Sequence, residues 1–400
     1  MTEACDTCLR RGYLIGRLAA PIARLLDRPG RRAPGLLALG DDPLVSAVAG
    51  ENAGEVRAFI EAFDPDGARE HLESLSLGAV CRHAAGYPAP LLALGDPPSA
   101  LFLAGGASPL ARLTAEPAVA LVGTRNPSPY GLEMAYELGR GLAAAGVTVV
   151  SGLALGIDAA AHRGCVDAGG TAVAVLAGGP DVPYPRTNRR LYGRIRASGA
   201  VVSELPPGQR AYRWAFPARN RIMAGLAAVT VVVEAADPSG SLITSVFAAD
   251  LGRTVAAVPG RVTSRFSAGS NRLLKDGALM VTSARDLLDE LFGPGLDARG
   301  AGRGDDAGLG AARGPRSTRL SRAPWTPSKR AWGSMGCAPT RGCRQGRPAP
   351  CWRGWSPQVI CAATGWGATA EPRRSGERAT RPGDTLGRMW PCCPPLSPSN

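Results

Sequence analysis

Four short segments of this 400-residue chain concentrate residues suited to binding anions. They are VGTR at Val122–Arg125, SGLALGID at Ser151–Asp158, FPARNR at Phe216–Arg221 and SGSLIT at Ser239–Thr244. Glycine turns expose main-chain N–H groups, and arginine offers a planar fork of donors that matches a phosphodiester. Gly123 lets the backbone turn at a strand end, so that Thr124 and Arg125 reach a phosphate at the mouth of the next helix. Ser151 and Gly152 close a second strand in the same manner. Arg219 and Arg221 flank Asn220 just behind Phe216. Guanidinium groups beside an aromatic ring suit a single-stranded nucleic acid, with charge for the backbone and a face for a base. Gly240 and Ser241 open a helix after VVVEAADPS and form a further anion nest. Plainer roles compete at each place: a capping loop with a solvated Arg125, a core Phe216 with one arginine in an internal ion pair, and an ordinary turn at Gly240.

Catalytic chemistry is much less evident. No serine, cysteine or threonine in these turns has a base beside it. Asp158 and His162 lie one helical turn apart, and the expectation is that they cap a helix and bind each other. Glu234 and Asp237 are the only carboxylates near Gly240. A Walker A loop needs G-K-[ST], and the two lysines, Lys275 and Lys329, do not follow a glycine in that pattern. A G-x-G-x-x-G is missing after the first parallel strand. No catalytic residue, cofactor or metal site is therefore expected. Cys5 and Cys8 form a C-x-x-C, for which His71, Cys81 and His83 are the nearest candidate partners. They are read here as two ordinary thiols.

The elements that must hold these turns follow from hydrophobic periodicity. Residues 1–86 read as a small all-α domain, with helices over 12–28, broken by Pro21, and over 50–63 and 68–77. Residues 87–106 read as a Pro- and Gly-rich connector with one or two short strands. From about 117 to 292, apolar runs at 119–122, 147–150, 172–176, 200–203, 229–233, 254–258 and 279–281 alternate with helical patterns at 131–145, 156–168, 188–197, 220–227, 241–251, 271–276 and 284–291. Such β–α alternation predicts an α/β fold with a mostly parallel sheet covered on both faces. Ligands of such sheets sit at the carboxyl ends of the strands. The turns VGTR, SGLA and EAADPSGS each follow a strand, so they should meet on one rim.

Composition bounds the rest. The net charge is +13, but residues 294–400 hold sixteen Arg and one Lys against six acids, leaving the first 293 residues close to neutral. Binding of nucleic acid by the body must rest on local arginine placement. Six of the seven Trp and six of the ten Cys also lie after residue 294, in a segment rich in Gly, Arg and Pro. That segment reads as a low-complexity basic tail, either disordered or the product of a lost reading frame, and no fold is assigned to it. Few body cysteines, no apolar leader and no membrane-length apolar run give the expectation of a cytoplasmic protein.

Taken in order, the motifs VGTRNPS, SGLALGIDAAAHRG, GGTAVAVLAGGPDVPYPRTN, SELPPG, FPARNRIMAGL, VVVEAADPSGSLIT, GRTVAAVPGRV and SAGSNRLLKDGA span about residues 87–290. This series resembles the bacterial DNA-processing protein A (Smf) family. The resemblance implies an extended Rossmann-like domain over 87–293 that forms a homodimer, binds single-stranded DNA and helps load RecA recombinase during natural transformation, without catalysis. It implies a DNA pocket at Gly123, Thr124 and Arg125 and at Phe216, Arg219, Asn220 and Arg221, lined by Gly240 and Ser241. Thr124 stands where serine is common. The winged-helix module of many members is not recognisable. The rival readings are a Rossmann-like nucleotide phosphoribohydrolase and a nucleotide-sensing module. The helix after the glycine turn, SLITSVFAAD, lacks the glutamate that such hydrolases use.

Overall fold

Short Val- and Ala-rich runs form the strands because they can be buried on both faces of a sheet. In the computed structural model, residues 3–26 and 35–294 are described, and all of them fall in one compact unit. The tail expected to lack a fold lies, from residue 295 on, outside the described residues. The strands are β1 (Leu77–Cys81), β2 (Ala100–Gly105), β3 (Ala118–Val122), β4 (Thr148–Ser151), β5 (Ala172–Val175), β6 (Ala200–Ser203), β7 (Val229–Val232), β8 (Thr254–Ala257) and β9 (Leu279–Met280). They form a single sheet in the order β1-β2-β6-β5-β4-β3-β7-β8-β9. β2 runs antiparallel to β1 and β6, and every other pairing is parallel. The chain thus builds outward from β3 in one direction through β4, β5 and β6, and in the other through β7, β8 and β9. The topological switch lies between β3 and β7, where such sheets bind ligands.

Twelve α-helices cover this sheet among the described residues: α1 (Asp6–Leu26), α2 (Asp41–Val48), α3 (Ala53–Glu61), α4 (Pro65–Ser74), α5 (Ser108–Arg112), α6 (Pro129–Ala144), α7 (Ile157–Asp167), α8 (Arg189–Ser198), α9 (Ala215–Leu226), α10 (Ser241–Asp250), α11 (Ala268–Lys275) and α12 (Ala284–Phe292). Alternation along β3 shows the layering. Val119 and Leu121 pack with Leu138 and Leu142 of α6 and Ala161 of α7. Ala118, Ala120 and Val122 pack with Ile222 and Met223 of α9 and Phe247 of α10. A third core joins Leu14, Leu18 and Ile22 of α1 to Leu44 of α2 and Val56 of α3, and to Leu205, Trp214 and Ala215. The Trp214 indole Nε1–H donates to the Ala19 carbonyl at 3.0 Å, so the N-terminal helices pack on the start of α9.

Two boundaries differ from the sequence reading. The helical pattern stops at Ser74, and Leu77–Cys81, inside the region read as all-α, is the edge strand β1. A five-residue apolar run contiguous with a helix is ambiguous by periodicity. The break is made by Ser76, which adopts φ 54°. Helix α9 begins at Ala215, five residues before the expected start near Asn220. Pro217 does not prevent this, because a first-turn N–H has no partner within the helix to lose. No helix among the described residues is long and apolar enough to cross a membrane.

Candidate nucleic-acid interface

The turns after β3, β4 and β7 converge at the switch point through main-chain bonds. The Thr124 N–H donates to the Glu234 carbonyl at 2.7 Å, and the Thr124 carbonyl accepts from the Ile157 N–H at 3.2 Å. Gly123 is required there, since a Cβ would fall 2.5 Å from Ile157 Cγ1. The Thr124 hydroxyl accepts from the Asn126 N–H at 3.2 Å and shapes the loop that presents Arg125. The Arg125 guanidinium lies over the Phe216 ring, 4.9 Å from its centroid. Among the described residues it makes no hydrogen bond and no ion pair. The Tyr184 ring meets the other part of this cluster, 5.5 Å from Phe216 at an angle of 60°. Arg125, Phe216 and Tyr184 are all half-buried. A charged group thus sits beside two aromatic rings on a partly open surface.

Phe216, Arg219 and Asn220 share a face of α9, being three and four residues apart. The Asn220 side-chain amide donates to the Gly240 carbonyl at 3.3 Å, which ties α9 to the start of α10. There the Ser239 and Ser241 hydroxyls lie 2.9 Å apart. The structure therefore brings Gly123, Thr124, Arg125, Phe216, Asn220, Gly240 and Ser241 into one connected rim.

Other residues expected on the rim lie beneath it. Arg219 is buried, and its Nη1 donates to the carbonyls of Gly152 at 2.6 Å and Val175 at 2.5 Å. Its Nη2 lies 3.7 Å from the Asp158 carboxylate. Burial pulls the Arg219 pKa down to about 10, Asp158 opposes that fall, and Arg125 adds to it by like charge. The two arginines thus feel each other, but Arg219 is a brace across the ends of β4 and β5. Arg221 is deeper still, at 2% exposure. Its Nη2 donates to Glu204 at 2.7 Å, and its Nε lies 3.0 Å from Asp96, misaligned for a hydrogen bond but close enough for a strong Coulombic pair. Burial works against its charge, but the two carboxylates outweigh that and raise its pKa. Arg221, expected to contact DNA, has no free face here. Ser151 is likewise buried, with its hydroxyl donating to the Leu121 carbonyl at 2.6 Å. Gly152 serves Arg219: a Cβ there would fall 1.7 Å from Nη1.

Two of the expected anion nests hold the protein's own carboxylates. Asp158 accepts from the Gly152 and Ala154 N–H groups at 3.2 and 3.4 Å. Burial raises its pKa against the pull of Arg219 and these amides. Glu234 accepts from the Ser128 N–H at 2.7 Å and its hydroxyl at 2.8 Å, at the mouth of α6. The expected Asp158–His162 pair does not form. His162 is fully buried with neither ring nitrogen hydrogen-bonded, and burial pushes its pKa down to about 3. It is a neutral core residue. Leu153, between Gly152 and Ala154, takes the left-handed φ of 54°, a strained position held by burial and by the Asn188 side-chain amide on its carbonyl at 2.9 Å.

Sequence reasoning missed Tyr184 and Asn188 as individual positions, although both lie in the quoted segment GGTAVAVLAGGPDVPYPRTN. It also missed Asp96, Glu204 and Glu234 as internal partners, because nothing local marks a carboxylate whose arginine or helix is distant in sequence. Outside the rim, Cys5 and Cys8 are not the two separate thiols expected, since Cys81 and His83 join them.

With this geometry, comparison with known proteins is direct. The model of the family described as DNA recombination-mediator protein A matches residues 78–292. The chain belongs to that family. The match begins one residue inside β1 and ends at the last residue of α12, so it contains all of the sheet but Leu77, and the rim. A putative DNA processing protein DprA of Mycobacterium tuberculosis is 51% identical over 172 residues, covering 43% of this chain and 44% of that protein. The chain therefore spans less than half the length of that relative. DNA processing protein DprA of Streptococcus pneumoniae is 42% identical over 204 residues, 51% of this chain and 71% of its own length. An X-ray structure of DNA processing protein A from Streptococcus pneumoniae superposes with a TM-score of 0.57 at 31% identity, over 72% of this chain and 99% of that one.

Proposed function

We propose that the rim at the switch between β3 and β7 binds single-stranded DNA without cleaving it, and that the protein helps load RecA recombinase on such strands during natural transformation. One observation supports this most: Arg125 has no internal partner among the described residues and lies on Phe216 with Tyr184 alongside. A guanidinium without a carboxylate partner, stacked on the half-buried Phe216 ring, suits an unpaired strand better than a duplex, whose bases are stacked away. Membership in a recombination-mediator family agrees with this reading. RecA and a second copy of the chain are the protein partners it implies.

A nucleotide hydrolase at the same rim would need a carboxylate presented to substrate. Glu234 has both oxygens engaged at Ser128, and Asp158 is buried against Arg219 and two amides. The deciding experiment titrates the protein with a labelled poly-dT oligonucleotide and, separately, with AMP, at one fixed salt concentration. Tight oligonucleotide binding with neither binding nor turnover of AMP is expected. Hydrolysis of AMP, or no affinity for poly-dT, would overturn the proposal.

A further inference from the structure

Cys5 is the residue before α1, and Cys8 lies in its first turn. Cys81 ends β1, and His83 follows in the next turn. The two pairs are more than seventy positions apart in the chain, yet their three sulfurs and the imidazole nitrogen all lie within 4.8 Å of one another. Cys5 Sγ is 3.5 Å and Cys8 Sγ 3.4 Å from His83 Nδ1. A tetrahedral zinc with bonds of about 2.3 Å to sulfur and about 2.0–2.1 Å to nitrogen requires sulfur–nitrogen edges of about 3.6 Å and sulfur–sulfur edges of about 3.8 Å. The two sulfur–nitrogen distances are already near the first value, and no pair among the four atoms exceeds 4.8 Å. We propose that Cys5, Cys8, Cys81 and His83 form a closed structural zinc site that staples the start of α1 to the end of the edge strand β1.

The chemistry of the set agrees with its geometry. Three soft thiolates and one imidazole are a zinc donor set, and four protein ligands leave no open position for a substrate. The surrounding bonds hold the donors in place without metal. The Cys5 N–H points at Cys81 Sγ at 3.4 Å, an amide placed to support a thiolate ligand. The Glu3 N–H donates to the Ala79 carbonyl at 2.8 Å, which lays the chain before α1 along β1. Arg69 of α4 donates to the Ala4 carbonyl at 3.2 Å and pairs with Asp6. A redox role for the C-x-x-C would need only two thiols; it would not explain a third buried sulfur and a histidine facing the same point. Cys165, the remaining described cysteine, is buried elsewhere in the main core and is outside the set.

The test uses the full chain, untagged, purified under reducing conditions without chelator. Six further cysteines lie in residues 337–393, so metal must be assigned by difference. Elemental analysis of the unaltered chain and of Cys165→Ser should find the same zinc content. Cys8→Ser and Cys81→Ser should each lose about one equivalent. The cobalt-substituted chain should show tetrahedral d–d bands with thiolate charge-transfer absorption. That absorption should weaken in Cys81→Ser, and the d–d bands should shift in His83→Ala. If the cysteine variants fail to fold, His83→Ala, at an exposed position, and the cobalt spectrum of the unaltered chain still decide. Zinc content unchanged in Cys8→Ser, Cys81→Ser and His83→Ala would overturn the proposal. So would an unaltered chain that neither retains zinc nor takes up added zinc or cobalt.

Discussion

Replacing Arg125 by alanine removes a guanidinium that forms no ion pair with a carboxylate among the described residues. A charge-assisted hydrogen bond to phosphate contributes about 1.5–3 kcal/mol. Affinity for a labelled oligo-dT should therefore fall by about 10- to 100-fold in anisotropy titrations. Denaturant unfolding should move by no more than about 1 kcal/mol, the worth of the contact with Phe216. Arg221→Ala should do the reverse of this at the level of stability. It leaves Glu204 buried and Asp96 half-buried without their arginine, a loss of about 3–5 kcal/mol that chemical denaturation would register. His162 gives a pH signature. Its folded pKa is about 3, against about 6.5 for a free imidazole, so the unfolded chain binds the extra proton between those values. Its contribution is complete above about pH 6.5 and is lost as pH falls toward 3, at about 1.4 kcal/mol per unit. His162→Leu should flatten the acid limb of stability against pH; an unchanged limb would show that another group governs it. At this scale the sequence exposes residue types but not partners. The R-N-R run looks uniform, and only the positions of Asp96, Asp158 and Glu204 in space separate a brace from an ion pair.

Helices α6 and α7 meet through glycine on each side. A Cβ on Gly139 would fall 2.2 Å from the Ala161 carbonyl oxygen, and one on Gly164 would fall 2.0 Å from that of Tyr136. Helix propensity favours alanine over glycine by about 1 kcal/mol. Here close packing outweighs it, because neither contact can be relieved without moving a helix axis. Gly164→Ala should lower the unfolding free energy by about 1–3 kcal/mol net, and a thermal or denaturant melt that rises instead would refute the packing argument. Elements were the most legible level of this chain. β6 coincides with its sequence range, and the other parallel strands and their helices lie within a few residues of theirs, because two-sided burial leaves an unambiguous apolar run. The failures have local causes: β1 is too short to declare its period, and Pro217 conceals the first turn of α9.

For the whole molecule, charge is distributed unevenly. Residues 1–293 are close to neutral, whereas most of the +13 belongs to residues 294–400. Binding to the rim should therefore show a shallow dependence on salt, set by a few phosphate contacts. A chain ending at Gly293 should remain folded, since α12 completes the described cores, and should bind oligo-dT with a smaller slope of log affinity against log salt than the full chain. Equal slopes would mean that the C-terminal charges do not meet the strand. Strand order, unlike strand identity, has no local signature. That β3 and β7 are neighbours, and so where the rim lies, came into view only with the sheet.

The carboxylates of Glu234 and Asp158 act as tethered tenants of the sockets that a sheet of this type offers to small phosphorylated metabolites. Because they are covalently attached, a free mononucleotide would have to compete with a group that never leaves. A polymer needs no such vacancy; it can lie across the rim and accumulate many weak touches. Under the proposed function, a rim so occupied would pass over free mononucleotides and still accept a strand.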